Sequence, residues 1–222
     1  VLPIAVARPW IEPLFHQDYR IFAPNPISED RSLLVRAWVR AEDGSMQVTE
    51  WVDATDAEIA TVHRRLLRKQ FTILAAERMV AAFYRLSEEQ RAVVDQNWHR
   101  SGFPALRLAL LDTTPGRENA VDDFIRVSEA ATAYGTQVAF ALWGEDAVVA
   151  VQVRARYHPV VRWADRDDPK AMRPPGTIIN PGWRPPIAYE GQNSDAFADV
   201  FLDLLEQAGS GGVPMDPSET PP

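Results

Sequence analysis

Between Ser32 and Ala41 the chain alternates, with Leu33, Val35, Ala37 and Val39 on one side and Leu34, Arg36, Trp38 and Arg40 on the other. A period of two predicts a strand with one buried face. Asp43-Gly44 supplies a tight turn, and residues 46–52 return as the second strand of a hairpin. The period then changes to that of a helix. Thr55 and Glu58 have the spacing of a capping box, which opens a helix through Ile59, Val62, Leu66 and Leu67. Helical spacing resumes over residues 71–86 through Leu74, Met79, Ala82 and Phe83. Ser87 with Gln90 forms a second capping box, and that helix is expected to end near Arg100.

A short helix is predicted over residues 104–111 and another over 118–134, closed by Gly135 as a left-handed cap. Residues 137–143 and 147–157, joined by a turn at Gly144-Glu145-Asp146, read as a second hairpin. Residues 194–208 form a last helix whose buried stripe is Phe197, Val200, Phe201, Leu204 and Leu205. No strand–helix–strand alternation calls for a parallel sheet. The expected class is α+β: an antiparallel sheet from two hairpins packed against several helices.

Proline divides the chain unevenly, with seven of 18 before residue 120 and eleven from Pro159 onward. Regular structure is therefore expected in the middle, with a long proline-rich arm over residues 159–193 leading to the last helix. Residues 1–29 form a leading segment, 30–208 a single domain, and 209–222, rich in Gly, Ser and Pro, a flexible tail.

Across 222 residues, 31 acids against 23 bases leave a net charge of −8, the wrong sign for a general nucleic-acid binder. Apolar residues make up 46%, enough for a packed core. The absence of cysteine excludes disulfides, thiolate metal sites and cysteine nucleophiles. The apolar start, Val1 to Ala7, is far shorter than the roughly 20 residues that cross a bilayer. It is either a terminal segment packed on the domain or the last turns of a membrane anchor.

Candidate chemistry is sparse. His16, His63, His99 and His158 fall in different predicted elements, and no pair has metal-ligand spacing. No nucleophile elbow or phosphate loop is present. Asp195, Asp199 and Asp203 share one helix face and Asp165, Asp167 and Asp168 one loop, patterns better suited to solvated acids than to a cation site. No metal, cofactor or catalytic residue is assigned. Arg64, Arg65, Arg68 and Lys69 form a cationic helix face, read either as solvated or as lipid-facing. Trp163, Trp183, Pro185 and Pro186 stand together in the arm as candidates for docking a partner.

The most unusual segment runs Phe15-His16-Gln17-Asp18-Tyr19-Arg20-Ile21-Phe22-Ala23-Pro24-Asn25-Pro26. Pro24 and Pro26 fix two φ angles and push Ala23 and Asn25 into extended conformations. Tyr19 and Phe22 would anchor that rigid elbow, so the interaction motif is Tyr19, Phe22, Pro24, Asn25 and Pro26. The stretch resembles the Q-N-W-x-L-F-A-P-N-P signature of an actinobacterial family of unknown function, family 5819. Asp18, Tyr19 and Ile21 depart from it, and Phe22 to Pro26 is intact. Leu33 to Ala37 and Trp51-x-Asp53-x-Thr55 resemble the block that follows the signature. A more distant likeness is to accessory proteins of bacterial toxin-maturation systems, which pair an anchored domain with a multi-helix membrane protein.

The resemblance implies an N-terminal membrane helix and an extracytoplasmic domain, which makes Val1 to Ala7 the stub of an anchor. The expected function is a non-catalytic, membrane-tethered accessory or interaction domain working with an integral membrane protein. The alternative is an enzyme or small-molecule binder with a pocket near the end of the second hairpin, rimmed by His158, Arg154, Arg156 and the loop Asp165, Asp167 and Asp168.

Overall fold

The structure, a computed structural model, describes residues 29–59, 71–168 and 170–209. The elbow Tyr19, Phe22, Pro24, Asn25 and Pro26, the cluster Arg64, Arg65, Arg68 and Lys69, the apolar start and nearly all of the tail lie outside the described residues.

Strand β1 (Glu29–Arg40) turns at Gly44, whose φ of 80° favours glycine, into β2 (Met46–Val48). After three irregular residues the chain rejoins β1 as β3 (Val52–Asp53). The predicted hairpin therefore forms, with its second strand broken in two. Helix α1 (Ala54–Ile59) follows at once. Its cap is Asp53, whose Oδ1 accepts from the Thr55 amide at 3.0 Å and the Asp56 amide at 3.4 Å. The expected Thr55–Glu58 box does not form, because both side chains serve distant partners. Thr55 Oγ1 accepts from the Leu33 amide at 2.8 Å, tying α1 to the sheet. Glu58 accepts from the amides of Phe71 and Thr72, both at 2.8 Å, and so caps the next helix instead.

That helix is α2 (Phe71–Tyr84), followed by α3 (Glu88–Val94), α4 (Gly102–Thr113) and α5 (Glu118–Trp143). The Ser87–Gln90 capping box forms as expected, although α3 stops at Val94, six residues short of Arg100. The larger departure is α5, which runs unbroken for 26 residues through Gly135. Residues 137–143 are therefore helix, and the second hairpin of the sequence-based expectation does not exist. Gly135 acts by close approach. A Cβ there would stand 2.7 Å from Val153 Cγ2, well inside ordinary contact distance, and 3.4 Å from Val151 Cγ1, in contact. The helix ends at Gly144, whose φ is 83° and whose amide returns to the Phe140 carbonyl.

Strand β4 (Val148–Pro159) then takes β1 as its partner over the full length of both, with Leu34 opposite Arg154 and Arg36 opposite Gln152. After a 3-10 turn at Trp163–Asp165, β5 (Thr177–Ile179) adds to the outer edge of β4. Helix α6 (Ser194–Ala208) closes the domain, capped by Asn193 at its start and by Gly209 at a φ of 63°. The result is a five-stranded antiparallel sheet ordered β2-β1-β4-β5 with β3 also on β1, and six helices among the described residues. The fold is α+β. One core lies between the sheet and α1, α2, α5 and α6, with Leu33, Val35, Val151 and Val153 facing Ala76, Met79, Val138 and Phe201. A second core joins α3, α4 and the start of α5 around Phe103, Leu106, Leu110 and Phe124.

Candidate functional site

β1 is buried on both faces, against the expectation of one. Leu34 and Arg36 point away from the helices yet are only 1% and 3% exposed. What covers them is built from indoles and guanidiniums. The Arg36 guanidinium carbon lies 4.5 Å from the Trp51 ring centre and 5.1 Å from that of Trp183, and Arg154 lies 4.1 Å from Trp51. Cross-strand pairing supplies the polar links: Arg36 Nε donates to Gln152 Oε1 at 2.8 Å, and Gln152 Nε2 donates to the Pro181 carbonyl at 2.7 Å. Arg156, on the same face of β4, donates to Asp53 at 3.0 Å and Ser32 at 3.2 Å. Burial pushes the Asp53 carboxyl up and Asp56 adds to it, while Arg156 opposes both.

The segment carrying Trp183 is held from its other side. Arg184 donates to the carbonyls of Val94 at 2.7 Å and of Gln96 and Gly182 at 2.9 Å, and its own backbone pairs with Val151. Burial pulls its guanidinium down to about 9, with Asp95 pulling the other way. Asn97 accepts from the Trp183 amide at 3.0 Å. A Cβ on Gly182 would fall 2.2 Å from the Gln96 carbonyl oxygen, so only glycine lets these two backbones meet. Chemically this layer is a clamp. Guanidiniums make poor general bases, and these hydrogen bonds tie them to the protein's own carbonyls, carboxylates and amides.

The sequence-nominated groups part company here. Trp183 is 2% exposed and belongs to the clamp, so it cannot present its ring to a partner, whereas Trp163 is 78% exposed on another loop. Their likeness in sequence, an indole among prolines, hid opposite environments. Pro185 and Pro186 are half-buried beside α5, where Ile187 donates its amide to Thr136 Oγ1 at 3.0 Å. The proposed rim does not converge. Arg154 and Arg156 turn to Trp51 and Asp53, His158 pairs across the strands with Asp30, Asp167 pairs with Arg166 at 3.3 Å, and Asp168 accepts from the Lys170 amide. Among the described residues no three histidine or acidic side chains gather where they could hold a metal ion, the Asp195 and Asp165 sets included. No helix of the described residues is long and apolar enough to cross a membrane.

The open surface lies on the helical side, between α2 and α5. Phe71, Leu74 and Ala75 face Ala130 and Ala131 across a cavity of about 110 Å³, with Arg78 and Arg126 at its edge. The groove continues into a second cavity of about 340 Å³ past Arg85 and Asp123. Asp123 pairs with Arg85 at 2.8 Å and also with Arg126. Phe71 is 43% and Leu74 36% exposed. The residues of α2 that line it, 71, 74, 75, 78, 81 and 82, recur at three and four, a second stripe beside the buried one that Arg85 extends just past the helix end. That repeat is the signal by which sequence alone could have found it.

Residues 3–186 match the model of the family of unknown function DUF5819, and the chain belongs to that family. No curated protein and no solved structure matches it.

Proposed function

We propose that this member of a family of unknown function is a non-catalytic, membrane-tethered, extracytoplasmic accessory domain that docks on an integral membrane protein. The α2–α5 groove carries the reading. It is apolar at the Phe71–Leu74 end, floored by small residues that admit a close backbone, and rimmed by Arg78, Arg85 and Arg126 against the single acid Asp123. In a chain of net charge −8, that local excess of cation selects its occupant: a helix of the partner with apolar residues at three-and-four spacing flanked by acids. The apolar start and the elbow at Phe22 to Pro26 support the tether.

The chain contains no cysteine, so one placed at Leu74 is a unique handle. Cross-linking from Leu74→Cys in native membranes, followed by mass spectrometry, is expected to yield one multi-pass protein joined through an acidic helix. Arg78→Glu with Arg126→Glu should abolish that product without unfolding the domain. A product that survives the double charge reversal, or fractionation of the natural protein wholly away from membranes, would overturn the reading.

A further inference from the structure

We propose that the β4–β5 connection, residues 160–176, is a lipid-facing loop that seats Trp163 and Met172 in the headgroup boundary of a bilayer. Three observations carry it. Trp163 and Met172 are 78% and 86% exposed, the highest values of any large apolar side chain described, and both sit on this one connection. An indole with one wet edge and one apolar face suits the boundary between headgroup and acyl chain better than it suits water. Second, long cations interleave with them: Arg162, Arg166, Lys170 and Arg173. Arg166 lies 4.2 Å from the Trp163 ring centre and donates to the Trp163 carbonyl at 2.8 Å, so stem and indole present themselves together. Asp165, Asp167 and Asp168 nearly balance that charge, which makes apolar insertion the main attraction and predicts weak salt dependence.

The third observation is placement. β4 ends at Pro159 opposite Glu29, so the loop leaves from the end of the sheet where the preceding residues enter β1. The opposite end carries the turns with Glu42, Asp43, Glu145 and Asp146, all exposed, which an anionic surface repels. The domain is thus polarised along β1, with exposed acids at one end and Trp163 and Met172 amid nearly balanced charge at the other, where Arg173 pairs with Asp30 at 2.7 Å. This orientation rests on the tethered reading, since a tether entering β1 holds the loop's end toward the membrane.

The test uses the full chain with a single cysteine carrying an environment-sensitive dye, at Ala164→Cys in the loop or at Ser45→Cys in the far turn. Vesicles are phosphatidylcholine with about a quarter phosphatidylglycerol. The dye at 164 is expected to shift to the blue and be quenched by lipid-borne quenchers, while the dye at 45 stays at its aqueous emission. Adding Trp163→Ala and Met172→Ala should weaken the partitioning seen at 164 by about ten-fold, with the circular dichroism spectrum unchanged. If the chain floats with the vesicles and the dye at 164 does not respond, the loop proposal fails and the tether stands. If the chain does not float at all, the loop proposal fails, and fractionation of the natural protein decides the tether separately. A response at 164 that requires a membrane protein in the vesicles would show a protein contact and overturn the lipid assignment.

Discussion

The two faces of one sheet are buried by opposite means. Toward the helices, Leu33, Val35, Val151 and Val153 meet hydrocarbon, and α5 comes so close that Gly135 has no room for a methyl group. Toward the other side, Leu34 and Arg36 are covered by Trp51, Trp183 and a set of arginines whose nitrogens reach amides and carbonyls. The apolar face depends on volume, because dense packing penalises every misplaced methylene. The clamp depends on partners, because a buried guanidinium or carbonyl without one costs several kcal/mol. The same strand therefore tolerates different substitutions on its alternate residues.

That contrast is sharpest at Arg184. Arg184→Met keeps the volume and removes the donors to Val94, Gln96 and Gly182, and a loss of about 3–5 kcal/mol in urea unfolding is expected. A loss below about 1 kcal/mol would mean that hydrocarbon contact, not hydrogen bonding, holds this face. On the helical face, Gly135→Ala tests volume alone. Helix propensity favours alanine by about 1 kcal/mol, yet the clash with the stiff Val153 side chain should reverse the sign and cost about 1–3 kcal/mol net. An increase in stability there would show that α5 can retreat from the sheet.

Smaller effects probe the clamp's chemistry. Arg36→Lys retains the charge and loses the planar fork between two indoles, and should cost about 1 kcal/mol with a change in the near-ultraviolet dichroism of tryptophan. The smallest effect concerns pH at the clamp's margin, where His99 packs edge-on against Trp38 at 5.4 Å. Burial, aided by Arg100, holds its pKa below the ordinary 6.5. The unfolded chain therefore takes the proton first, and this contribution to stability is lost as the pH falls below 6.5. His99→Phe should flatten the urea midpoint against pH over that range. An unchanged slope would place the titration elsewhere.

Much of the fold was legible because it rests on neighbours in sequence. The alternation in β1, the Asp43-Gly44 turn, the Ser87–Gln90 box and the stripe of α6 were all visible, except that Val200, expected in that stripe, is 50% exposed because α6 turns it away from the core. The misreadings share a cause. Gly135 has the local signature of a helix stop, and only the valines of β4 and β1 reveal that its missing Cβ is needed for packing. Thr55 and Glu58 have the spacing of a box, but Leu33 and Thr72 compete for them from distant segments. Of the candidate sites, the rim around His158 was an inference from proximity in sequence, and strand pairing sends its members to different partners. The α2 stripe of the groove is legible in its three-and-four spacing, but it becomes a groove only where α5 packs beside it.

By itself the sequence determined the class of fold, the absence of thiol chemistry, the charge that disfavours nucleic acid and the family to which the chain belongs. Those properties are sums over residues or short-range patterns. The tertiary structure alone decided that β1 pairs with β4, that Trp183 is interior while Trp163 is exposed, and that the cations of the sheet become a clamp. The physical reason is that burial and partnership belong to pairs of segments far apart in the chain, and identical residues acquire opposite roles according to which segment packs against them.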